Sequence, residues 1–153
     1  RYETATETLR DALRDLGADV VRGEPRAAFC PGDHSLRVAG GERTADGAAT
    51  EGAERVGRDG KVAGLAQRVR ADAALVAGVL VVSAADPEPI ARVTAPVYDA
   101  LDVPFDPESV GSVADAGGPD DPAAVARAVE AAFVEGPWGG GERETVRVDG
   151  ADA

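Results

Sequence analysis

Gly60-Lys61-Val62-Ala63-Gly64-Leu65-Ala66-Gln67-Arg68-Val69 reads as a β-strand from Lys61 onward, and it carries the only lysine in a chain with fifteen arginines. Arginine is therefore not scarce, and position 61 asks for something a guanidinium does not offer. An ammonium is a compact donor that binds an anion or activates a neighbour, whereas a guanidinium is a planar fork. Gly64 and Ala66 follow, small enough for a ligand or another backbone to come close. The bland alternative is a hairpin strand whose lysine meets solvent. A second β-rich run, Ala74 to Val82, follows after Arg70-Ala71-Asp72-Ala73. Antiparallel pairing across so short a connection is the economical solution. Val79-Leu80-Val81-Val82 is apolar on both faces, which predicts a central strand covered by helices.

Outward from this hairpin, Tyr2 to Leu16 has Ala5, Leu9, Ala12, Leu13 and Leu16 at helical spacing, with Gly17 as the stop. Val20-Val21 predicts a short strand, Gly23-Glu24-Pro25 a turn, and Ser35 to Ala39 another strand. Residues 40–59 have no sustained apolar period and predict a long flexible loop. Asp86-Pro87 and Asp121-Pro122 are each a cap followed by a first-turn proline. The first opens a helix through Ile90 and Val93 that Pro96 should end or kink near Ala95. The second opens a helix burying Val125, Val129, Ala132 and Phe133 and stopping at Gly136. Val110 to Ala114 predicts a short helix or turn. Residues 137–153 read as a loosely ordered acidic tail, with a stray strand at Glu144 to Val148. The fold class is α+β, a mostly antiparallel sheet with helices packed on it, in one domain over residues 1–136.

The net charge of −12 over 153 residues is scattered, which describes a solvated acidic surface of salt-adapted composition. Such a surface repels nucleic acid and anionic membranes, so neither is expected as a partner. No apolar run is long enough to span a bilayer and no signal segment opens the chain, so a cytoplasmic location is the default expectation. One cysteine excludes an internal disulfide and a multi-cysteine metal site, and no metal ligand set is expected. The chain has no methionine and starts at Arg1, which suggests a missing upstream segment.

Lys61, Cys30 and His34 are the candidates for chemistry. Cys30 borders the Pro31-Gly32 break, at the end of an apolar segment. Beside Lys61 it would form a Cys-Lys dyad suited to acyl transfer through a thioester, since a nearby ammonium favours the thiolate. The alternative is a small buried hydrophobe. His34, between Asp33 and Ser35, is a turn or capping residue or else a base for Cys30.

The strand Gly60-Lys61-Val62-Ala63-Gly64-Leu65-Ala66-Gln67-Arg68, with Ala77-Gly78-Val79-Leu80 ten residues on, resembles the biotin/lipoate protein ligase superfamily in its lipoate-protein ligase A and octanoyltransferase branch. Ala77 stands where that family has a histidine. The resemblance implies transfer of an octanoyl or lipoyl group to a lysine of a lipoyl domain, as carried by 2-oxoacid dehydrogenase and glycine cleavage proteins. Lys61 and Cys30 would be catalytic, and Gly64, Ala66, Gln67, Gly78, Ser35 and His34 would bind substrate. A transferase would take its acyl group from a carrier and need no cofactor; a ligase would take free lipoate and need ATP and Mg²⁺. The ligases' Asn-Asp pair is replaced by His34-Ser35, which favours cysteine-dependent transfer. The family's upstream Arg-Arg-x-Gly-Gly-Gly segment is not in this chain, implying the C-terminal part of such a domain. A different class of function is a non-catalytic accessory domain, binding a lipoyl domain or a second subunit along an open sheet edge.

Overall fold

A computed structural model describes residues 2–40 and 59–136. The expected loop therefore lies outside the described residues except at its two ends, and the acidic tail lies outside them entirely. Helix α1 (Tyr2–Asp15) leads into strands β1 (Val20–Arg22) and β2 (Ser35–Val38), then β3 (Lys61–Val69) and β4 (Ala74–Leu80), then helices α2 (Pro87–Ala100) and α3 (Pro122–Glu135). The four strands form one sheet in the order β1-β2-β3-β4, antiparallel throughout. The α+β expectation holds at this level.

One face of the sheet carries the main core. Leu9 and Leu13 of α1, Val20, Leu36, Val38, Val62 and Ala63 of the sheet, Val113, and Val125 of α3 are buried together, with Val129 and Phe133 packed against them. Each fully buried aliphatic side chain contributes about 1.5–3 kcal/mol. Gly17, at φ +89, turns the chain out of α1 so that Ala18 N–H reaches the Leu13 carbonyl. Arg22 reaches back from β1 to the Glu3 and Glu7 carboxylates of α1, and its hydrogen bond holds the Glu3 carboxyl below the usual range. A smaller core of Phe29, Val81, Ala91 and Val110 ties the segment before β2 to α2.

Two expectations fail here. The second hairpin strand is not central: among the described residues β4 is a sheet edge, and Leu75 and Val79 are 64% and 57% exposed. Its apolar run misled because Val81 and Val82, which are buried, lie beyond the strand's end at Leu80. Of the end or kink expected at Pro96, the end does not occur, since the helix runs on to Ala100. Only Ala91 of α2 is buried, so the Arg92 carbonyl that loses its partner lies on a helix open to water. Of the short helix or turn expected at Val110 to Ala114, the turn forms, beginning at Val113 and running to Gly117, and a 3-10 turn at Pro107–Ser109 precedes it.

Candidate functional site

Lys61 enters β3 at a point pinned by a second backbone. Gly111 N–H donates to the Lys61 carbonyl at 3.0 Å, and Val110 makes a parallel bridge to Lys61. Gly60 and Gly111 touch so closely that a Cβ on Gly60 would lie 2.6 Å from the Gly111 Cα. The close backbone approach expected at Gly64 and Ala66 is found instead at Gly60, and its partner is this loop.

The Lys61 side chain is 0% exposed. Its ammonium lies 3.1 and 3.0 Å from the two Glu24 carboxylate oxygens, 3.0 Å from the Phe29 carbonyl and 2.6 Å from the Cys30 carbonyl. The Phe29 ring centroid is 5.2 Å away. An ammonium has three hydrogens, so these acceptors use all of them, with the carboxylate sharing one. A buried cation requires such a set of partners. The solvent-facing alternative for Lys61 is thus excluded.

This arrangement brings Lys61 and Cys30 together, through the main chain. No hydrogen bond joins Lys61 Nζ to Cys30 Sγ. Cys30 is exposed, and φ +42 puts it in the left-handed region. Its carbonyl is held by Lys61 and its N–H donates to the Tyr98 hydroxyl at 2.7 Å. Two anchors from different elements hold a conformation that a non-glycine residue adopts at a cost. Glu24 and Tyr98, which complete the arrangement, were not singled out in the sequence. Nothing in their spacing reveals them, because they reach Lys61 and Cys30 from a turn and from α2.

The six expected substrate-binding residues do not converge. Register pairs Gly64 with Val79, Leu65 with Gly78, Ala66 with Ala77 and Gln67 with Val76. Neighbours along a strand point to opposite faces, so Gly64 and Ala66 share the outer face while Gln67 and Gly78 share the face turned to α1 and α3. Ser35, opposite Gly64, is buried and donates to the Gly32 carbonyl. The room at Gly64 is already taken: a Cβ there would lie 3.0 Å from Lys61 Cε and 3.3 Å from Nζ.

His34 packs against α1. It stacks on Tyr2 with ring centroids 3.6 Å apart, and Nδ1 is 3.0 Å from the Thr6 hydroxyl. That hydroxyl donates to the Tyr2 carbonyl, so it accepts from Nδ1–H. His34, Tyr2, Glu3 and Gln67 line a cleft of about 720 Å³. The Gln67 Oε1 is buried there without a hydrogen-bond partner among the described residues. The side-chain contacts of His34 among the described residues are thus with α1, and none of its hydrogen bonds reaches Cys30. The imidazole Nδ1 of His34 and the Ser35 hydroxyl are both hydrogen-bonded locally. Among the described residues no group of three or more His, Cys, Asp or Glu is placed to hold a metal, and no helix is long and apolar enough to cross a membrane.

No family model, no curated protein and no solved structure matches this chain.

Proposed function

We propose that this domain carries out acyl transfer in protein lipoylation, with Cys30 as the nucleophile and Lys61 as the residue that holds it. The observation that carries the reading is the 2.6 Å bond from the Lys61 ammonium to the Cys30 carbonyl, joining the one lysine to the one cysteine. The exposed cysteine and the exposed Leu75 and Val79 on the outer face of the β3–β4 hairpin support it.

In this reading the Cys30 thiolate attacks the carbonyl carbon of an octanoyl thioester. The new carbon–sulfur bond forms as the donor's breaks, and the donor leaves as a thiolate. A deprotonated lysine amine of the lipoyl domain then attacks the Cys30 thioester. The amide forms, one amine proton passes to solvent, and the Cys30 thiolate is released. Lys61 acts by clamping the loop that presents the thiol.

The test is mass spectrometry of the protein after exposure to octanoyl carrier protein, followed by addition of a lipoyl domain. The expected result is an octanoyl adduct on Cys30 that disappears as the lipoyl domain gains the group. Cys30→Ser and Cys30→Ala should abolish both. Transfer that survives these substitutions, or that depends on ATP, overturns the thioester route.

A second reading, a non-catalytic domain that binds a partner, draws on one specific observation. Lys61 is fully enclosed with every hydrogen engaged, as in a structural ion pair. A stoichiometric complex with a lipoyl domain and no adduct on Cys30 would favour it.

A further inference from the structure

The segment from Ala27 to Cys30 is gripped by α2 and the chain that follows it. Ala27 and Cys30, neither of them glycine, have φ +52 and +42, a left-handed conformation that a side chain adopts at a cost. Asp106 N–H donates to the Ala27 carbonyl at 2.8 Å, and the Ser109 hydroxyl approaches the same oxygen at 3.5 Å. At the other end, Lys61 holds the Cys30 carbonyl and Tyr98 of α2 holds its N–H. The Tyr98 ring is braced against Phe105, with centroids 5.2 Å apart.

Acyl transfer through Cys30 needs a donor for the oxyanion that forms when a thiolate adds to a carbonyl. Enzymes commonly take that donor from the backbone amide of the nucleophile or of the residue after it. Both are closed here. The Cys30 N–H is taken by the Tyr98 hydroxyl at 2.7 Å, and the next residue is Pro31, which has no N–H. Lys61 does not substitute, because its three hydrogens are engaged by Glu24, Phe29 and Cys30.

Tyr98 itself has a donor to give. A hydroxyl both accepts and donates, and the Tyr98 oxygen accepts from Cys30 while its own hydrogen has no acceptor among the described residues. Accepting one hydrogen bond polarises the O–H and strengthens it as a donor. The hydroxyl also stands on the useful side of the nucleophile. Two of the three staggered χ1 wells place a cysteine Sγ gauche to its own nitrogen, the atom that Tyr98 Oη contacts. Cys30 is exposed and Tyr98 half-buried, so an acyl carbon joined to Sγ brings its oxygen within reach of this group.

We infer that Tyr98 is a catalytic residue, the oxyanion donor of the transfer at Cys30; this rests on Cys30 being the nucleophile, as proposed above. The Cys30 thiolate gives an electron pair to the acyl carbon, the carbonyl π pair moves onto oxygen, and that oxygen accepts from the Tyr98 O–H. Collapse re-forms the C=O bond and expels the donor's sulfur as a thiolate. The Tyr98 proton stays on Tyr98 throughout.

The experiment compares two reactions of Cys30, each rate referred to the fully ionised thiol. Acylation by octanoyl-N-acetylcysteamine passes through an oxyanion; alkylation by iodoacetamide does not. Tyr98→Phe should slow acylation about 10²–10³-fold, with alkylation and circular dichroism unchanged. The phenyl ring still covers the Cys30 N–H, so that amide does not take over the role. Both rates falling together would mean that the hydroxyl only positions the loop, which overturns the inference, as does acylation that the substitution leaves unaffected. If Tyr98→Phe fails to fold, the wild type decides alone: its ratio of acylation to alkylation should exceed that of N-acetylcysteine, and a ratio no greater overturns the inference. Addition of a lipoyl domain separates this from the lipoylation reading. An octanoyl group that passes from Cys30 only to water, with Tyr98→Phe still slow to acylate, overturns that reading and supports the oxyanion donor.

Discussion

Gly64 and Lys61 form one unit, which explains why the lysine is a lysine. The side chain folds back over Gly64 and ends among two carbonyls and a carboxylate that converge on a point. A guanidinium is wider and spreads its hydrogens in a plane, and the space beside Gly64 holds no more atoms. Gly64→Ala should cost about 1–3 kcal/mol from overpacking. Lys61→Met should cost about 3 kcal/mol, near the low end for breaking a buried pair, because Glu24 is 26% exposed and regains water. Adding Glu24→Gln to Lys61→Met should recover part of that loss. Urea titrations of the three proteins measure this, and a double variant no more stable than Lys61→Met would show that the carboxylate is not what Lys61 compensates. The importance of Lys61 was legible in the sequence from its rarity. Its partners were not, because Glu24, Phe29 and Cys30 arrive from a segment thirty residues earlier whose path no local pattern specifies. Alternation along β3 was equally available from sequence, and it already implied that Ala66 and Gln67 cannot share one pocket.

At the scale of elements, each helix start was readable because its cue is local chemistry. Asp121 accepts from Ala123 and Ala124 N–H groups at 2.9 and 3.2 Å, ahead of Pro122. Asp86 differs: it makes no side-chain cap to α2 and instead accepts from Ser83 N–H at 3.2 Å, fixing the turn before the helix. Helix α2 shows where a local rule yields to its surroundings. Pro96 removes one hydrogen bond but sits on an exposed surface, so the helix continues at a cost instead of breaking. Pro96→Ala should restore the bond to the Arg92 carbonyl and stabilise the protein by up to about 3 kcal/mol. Thermal unfolding measures the gain, and hydrogen exchange should show a new protected amide at position 96. A variant no more stable than the parent would mean that the surroundings of α2 already compensate the lost bond. The status of β4 was illegible for another reason. A run of apolar residues fits a central strand and an edge strand equally well, and only the order β1-β2-β3-β4 among the described residues distinguishes them.

For the whole molecule the governing quantity is its charge. Twenty-eight acidic side chains against sixteen basic ones leave a folded surface that repels itself. Unfolding spreads those charges apart, so repulsion is released when the fold is lost, and salt that screens it should favour the folded state. Local ion pairs pull the other way. Arg22 with Glu3, Arg37 with Asp59 and Arg92 with Glu88 are at least partly solvent-accessible and weaken as salt rises. Exposed pairs of this kind are worth about 0–1 kcal/mol each, whereas the surplus of twelve negative charges acts over the entire surface. Lys61 with Glu24 is shielded by burial and should respond little. The melting temperature should therefore rise with NaCl, steeply at first and then level off as the Debye length falls from about 30 Å at 0.01 M toward 3 Å at 1 M. Levelling separates screening from exclusion of salt from the surface, which keeps growing with concentration. Scans at one low protein concentration keep any association between copies from contributing. A melting temperature that falls with added NaCl would mean that the specific pairs, and not the net charge, dominate the electrostatics of this fold.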